Sequence, residues 1–196
     1  MIRPLLLASA ALALAACGSP DPTPTSGPGS APAASSGTDV LTAEGFGPLR
    51  VGMTRAEVET ALGADSSSGS AGGPDPESCD IFHPARAPRG LTVMIEGGVL
   101  TSIWLGDGSP LKTDRGFGVG DEAVAIKAAY GTNAHVTPHK YADAPAEYIM
   151  TWGVGGMSGY VQNPDARGIA YHIGPDGRVE HVAAGGPSIQ YVEGCS

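Results

Sequence analysis

Positive charge is scarce in this chain. Only 11 Lys and Arg stand against 20 Asp and Glu, and the formal charge is −9. The cations form no cluster, which excludes nucleic acid as a partner, because phosphate binding rests on grouped Lys and Arg. An acidic surface is also not drawn to an anionic membrane. Aromatic residues make up only 6% of the chain, while 30 Gly and 17 Pro favour short strands and turns over a helical bundle. The three cysteines contain no CxxC pair, so a redox motif and a zinc ribbon are unsupported. No apolar run reaches the roughly 20 residues of a permanent membrane span. Neither GxSxG nor GxxxxGK[ST] occurs, which removes the nucleophile elbow and the phosphate loop.

The longest apolar run is Leu5 to Ala16, interrupted only by Ser9 and preceded by Arg3. Charge, apolar stretch and small residues follow in the order of a secretory signal peptide. The run ends Leu14-Ala15-Ala16-Cys17, which resembles the bacterial lipobox. The resemblance implies cleavage before Cys17, a diacylglyceryl thioether on its sulfur and a further acyl chain (palmitate-like) on its freed amine. Each buried methylene of such chains contributes about 0.8 kcal/mol, so the anchor is stable. Gly18 stands where an Asp favours inner-membrane retention in enterobacterial lipoproteins, so the expected location is the outer membrane, with the folded part in the periplasm. Gly18 to Thr38 is nearly all Gly, Ser, Pro, Ala and Thr, a composition with little to bury and the stiffness of a tether. The expected organisation is a signal peptide at 1–16, the lipidated Cys17 and tether at 17–39, and two repeats at 40–110 and 111–196.

The repeats rest on a phrase that occurs twice. "VGMTRAEVETALG" runs from Val51 to Gly63 and "VGDEAVAIKAAYG" from Val119 to Gly131. In the first, Thr54 and Glu57 form a capping box, Val58, Ala61 and Leu62 follow at helical spacing, and Gly63 is the stop. In the second, Asp121 or Glu122 supplies the cap and Ile126, Ala129 and Tyr130 take the apolar positions. Strands are expected after each helix: Cys79 to His83, Leu91 to Glu96 and Val99 to Leu105, then Glu147 to Trp152, Gly168 to Ile173 and Val179 to Ala184. Gly97-Gly98 and Pro175-Asp176-Gly177 mark the hairpin turns. Helices this short need a sheet to lie on. The expected fold is α+β, each repeat a short helix packed on a small antiparallel sheet whose other face is free or partly free. With Cys17 lipidated, Cys79 and Cys195 form one disulfide or remain two buried thiols; an oxidising compartment favours the bond.

The pattern Leu49, Val51-Gly52-Met53-Thr54, Glu57-Val58 and Leu62-Gly63 resembles the opening of the small outer-membrane lipoproteins of the SmpA/OmlA (BamE-like) group. Two such units in tandem resemble the β-lactamase-inhibitor-protein fold. The resemblance implies protein–protein binding, envelope assembly in one branch and enzyme inhibition in the other. BamE-like proteins carry one unit, and the inhibitor carries disulfides inside each repeat; this chain differs on both counts.

Candidate chemistry is thin. His135 and His139 have the spacing of a helical metal pair, but Pro138 spoils the helix and no Glu follows His135, so no metal site is expected. Asp80 and His83 could form a dyad, though a surface hydrogen bond is the plainer outcome. His172 and His181 fall in hairpin strands, where a cross-strand placement is open to them and a hydrogen-bonded sheet histidine is the plainer reading. Trp104, Trp152, Tyr141 and Tyr148 are possible interface anchors. His139, Lys140 and Tyr141 are expected in an exposed loop that mixes a cation with an aromatic. The reading is a protein-binding module for another envelope protein, without cofactor and not an enzyme. An inhibitor of a secreted or periplasmic hydrolase is the alternative, and an enzyme comes third.

Overall fold

The computed structural model describes residues 39–66, 75–106, 108–157 and 159–195. The expected signal peptide, Cys17 and all but the last residue of the tether lie outside them. Three short strands come first: β1 (Val40–Thr42), β2 (Gly45–Phe46) and β3 (Leu49–Arg50). Helix α1 (Arg55–Leu62) is followed by β4 (Cys79–Phe82), β5 (Leu91–Glu96) and β6 (Val99–Leu105). The second half contains β7 (Lys112–Thr113), α2 (Ala123–Tyr130), β8 (His135–Pro138), β9 (Glu147–Val154), β10 (Arg167–Ile173) and β11 (Val179–Gly185). Single turns of 3-10 helix lie at Gly131–Asn133 and Pro187–Gln190. Among the described residues no helix is long and apolar enough to cross a membrane.

The α+β class holds, but the sheets are distributed differently from the expectation. One seven-stranded antiparallel sheet runs β4-β5-β6-β11-β10-β9-β8, and a four-stranded sheet runs β3-β2-β1-β7. The halves therefore share a single sheet, joined where β6 pairs with β11 from Val182–Leu105 to Gly185–Ser102. The physical reason is the open edge that β6 would otherwise leave, which pairing with β11 closes. The small sheet was not foreseen. Its strands are two or three residues long, and β1 pairs in parallel with the distant β7.

Local chemistry explains the elements that were foreseen. Thr54 caps α1: its side chain accepts from the Glu57 N–H at 3.3 Å, and the Glu57 carboxylate accepts from the Thr54 N–H at 2.8 Å. Gly97 and Gly98 both have positive φ, 58° and 83°, as a two-residue hairpin between β5 and β6 requires. The cap of α2 differs from the expectation. Glu122 is at the cap position but its side chain bonds no helix amide. The Asp121 carboxylate is engaged by the Gly118 N–H and Lys112, each at 2.7 Å, and Glu122 binds Arg178 at 2.8 Å.

Both helices are fastened to the sheet in the same way. Gly52 N–H donates to Leu100 O (2.7 Å) and Leu100 N–H to Met53 O (2.7 Å); Gly120 donates to Val179 (2.8 Å) and Val179 to Asp121 (2.9 Å). Arg55 N–H reaches Gly98 O as Ala123 N–H reaches Gly177 O. Val58 and Ile126, both fully buried, then meet the inner face of the large sheet. Leu41, Phe46 and Leu49 of the small sheet join the same core, with Phe82, Val93, Ile103, Ile149 and Tyr171 opposite. Cys79 and Cys195 are disulfide-bonded across a sequence separation of 116.

Candidate functional site

The outer face of the large sheet, away from the helices, carries the chemistry. Period-two alternation puts Trp104 (β6), His181 and Ala183 (β11), Ala170 and His172 (β10), and Tyr148, Met150 and Trp152 (β9) there. Of the two expected outcomes, free or partly free, this face is partly free: it is covered across its middle. Ala170 and Ala183 are small, and Ile189 from the Pro187–Gln190 turn is fully buried against them, flanked by Trp104, Met150 and Trp152. The remaining C-terminal residues form a strap. Gln190 exchanges bonds with Val161 (2.8 Å each way), Tyr191 hydroxyl donates to Glu96 (3.1 Å), Glu193 meets Lys140 (3.0 Å) and Cys195 ends on Cys79.

A groove remains on each side of the strap. The first, of about 370 Å³, is lined by Thr92, Trp104, His172, His181 and Val192 among others. The second, of about 480 Å³, is lined by Tyr148, Met150, Trp152, Tyr160, Lys140 and neighbours. Trp104 belongs to the first, its indole N–H held by Ser102 at 2.9 Å. Trp152 borders the second, its ring laid over Gly168, where a Cβ would come within 2.7 Å of it. His139 stacks on Tyr148 at 4.8 Å, Lys140 sits 4.9 Å from the Tyr141 ring centroid, and Tyr141 is 63% exposed. Trp152, Tyr148, His139, Lys140 and Tyr141 thus lie on β9 and the connection from β8, and Trp104 stands apart beyond the strap.

The histidines divide into separate roles. His172 pairs with His181 across β10 and β11, and packs edge-on against Trp104 (5.2 Å) and Tyr148 (5.0 Å). It is buried and, contrary to the plainer expectation, not fully hydrogen-bonded: its Nε2 has no partner among the described residues, and its pKa is pushed down to about 4 by burial first, then by His181 and His139. His135 and His139 lie on β8 and just past it. An extended chain sets residues four apart roughly 13 Å from each other, too far for one ion. No group of three or more His, Cys, Asp or Glu among the described residues is placed to hold a metal. Asp80 and His83 form no dyad: Asp80 is held by Arg55, and His83 Nδ1 bonds Leu91 O at 2.6 Å.

Sequence reasoning missed Met150, Tyr160 and Ile189. The signal for Met150 was present, since it alternates with Tyr148 and Trp152 opposite the small residues Gly168 and Ala170. Nothing local announces Ile189, whose place depends on the space above Ala170 and Ala183. No family model matches the chain, and comparison with curated proteins and with solved structures returned no significant match.

Proposed function

We propose that this chain is a lipid-anchored protein of the bacterial cell envelope that docks another envelope protein. Cys17 carries the anchor in the outer membrane, the Pro- and Gly-rich stretch is the tether, and the folded part works in the periplasm. The observation that carries the docking role is the cluster of Tyr148, Met150, Trp152 and Tyr160 around one groove, beside Lys140 and the exposed Tyr141. Aromatic anchors next to a polar rim are what a protein interface needs. We further read the two halves as tandem repeats. The matched bonds from Gly52 and Gly120, and from Arg55 and Ala123, support a duplication.

Inhibition of a secreted or periplasmic hydrolase is the second reading, favoured by Tyr141 projecting from the connection after β8. The deciding experiment is photocrosslinking in the native host, with a photoreactive residue at Tyr141 or Tyr160. One dominant assembly partner supports docking. A captured hydrolase that loses activity on titration supports inhibition. No stoichiometric partner at either position removes both. Radiolabelled palmitate in the wild type but not in Cys17→Ser tests the anchor separately.

A further inference from the structure

Among the described residues strand β8 ends the large sheet, and its hydrogen-bond phase fixes which peptides look outward. His139 N–H donates to Ala146 O, so Thr137 and His135 face β9 while Val136 and Pro138 face away. Pro138 has no N–H, which a strand tolerates only on its open side. Val136 turns both its N–H and its C=O outward and is 44% exposed. The opposite edge is engaged: Ser66 N–H donates to His83 O at 3.0 Å, Asp65 bridges to Pro84, and Cys79 is disulfide-bonded.

A groove lies on each side of β8. The aromatic groove described above includes Thr137 and Pro138. On the helix side, a groove of about 650 Å³ lies between α2, β8 and the connection to β9. Its walls are aliphatic, with Val124 (66% exposed), Val136, Ala144 and Pro145. Its rim carries four carboxylates and two cations. Lys127 is bound to Glu147 (2.6 Å) and Arg178 to Glu122 (2.8 Å). Asp143 and Asp176 are left without a cationic partner among the described residues. Aliphatic walls below surplus carboxylates suit a long side chain with an apolar stem and a cationic head.

An extended chain laid along β8 would send alternate side chains to these two grooves, the main chain bonding Val136. We infer that β8 receives an extended segment of the partner by strand addition, with Lys or Arg entering the helix-side groove and apolar or aromatic residues the outer one. This rests on the protein-docking reading and adds the place and the chemistry of the partner. The outward edge is short, so selectivity lies in the grooves.

The test places a photoreactive residue at Val124, at Tyr160 or at His181 in the full lipidated chain, in the native host, and maps the crosslinked partner peptide by mass spectrometry. The expected result is that Val124 and Tyr160 capture the same short stretch, alternating apolar and basic residues. Val136→Pro, and separately Asp143→Lys with Asp176→Lys, should cut that yield at least about tenfold without lowering Tm. A synthetic peptide of the stretch should bind the purified protein, and its Lys/Arg→Glu version should not. Capture from Tyr160 or His181 alone, untouched by either variant, would overturn strand addition while leaving docking intact. Silence at all three positions would overturn both.

Discussion

At the scale of the residue, the two helix starts give a contrast. Thr54 and Glu57 bond reciprocally at the head of α1, whereas Glu122 at the head of α2 is drawn off to Arg178. Thr54→Ala should cost about 1 kcal/mol, read from urea midpoints, and Glu122→Ala markedly less. His172 sets a pH dependence. Its folded pKa of about 4 lies below the ordinary value of 6.5, so the unfolded chain takes up this proton first. The stability it contributes is complete above pH 6.5 and is lost as pH falls from there towards 4. Across that window the loss is about 3 kcal/mol. His172→Phe keeps a ring between Trp104 and Tyr148 and should flatten that part of the stability profile. Equal slopes in wild type and variant would show that His172 is not buried neutral.

At the scale of the element, the C-terminal turn and strap decide what the outer face can be. Ile189 fills the space that Ala170 and Ala183 leave, and the disulfide holds the end of the strap to β4. Ile189→Ala should cost about 3 kcal/mol by cavity formation, and should make the segment after Gly186 cleavable by protease under native conditions. A variant as resistant as the wild type would mean that the hydrogen bonds of Gln190 and Tyr191 hold the strap without the plug. The hairpins are more self-sufficient. β5 and β6 run as their sequence indicates, Leu91–Glu96 and Val99–Leu105, because alternation and the Gly97-Gly98 turn act within neighbouring residues. β1, β2, β3 and β7 have no comparable local signal. Val40 finds Lys112 from far along the chain, and strands of two or three residues carry too little pattern to recognise.

At the scale of the whole molecule, the seam between β6 and β11 joins the two halves in one sheet. Gly185 lies on that seam, and a Cβ there would come within 2.4 Å of Thr101 O, so the strands approach at a distance only glycine allows. Residues 40–110 and 111–196, made separately, should each lack a cooperative unfolding transition, while the full folded unit unfolds in one. Mixed, they should recover the single transition, because each supplies the edge the other lacks. Independent folding of either piece would refute this account of the seam.

The sequence by itself determined what depends on near neighbours: two short helices with their stops, the hairpins, the α+β class, and the scarcity of cations. It also narrowed Cys79 and Cys195 to a bond or two thiols. The tertiary structure alone decided that the halves share one sheet, that the outer face is plugged by Ile189, and that β8 is, among the described residues, an open edge between two grooves. It also parted Trp104 from Trp152, His139, Lys140 and Tyr141, and Asp80 from His83. Each of these turns on which distant strand fills an edge or which side chain fits a space left by small residues. Such matches are properties of packed pairs, and no window of neighbouring residues contains both members.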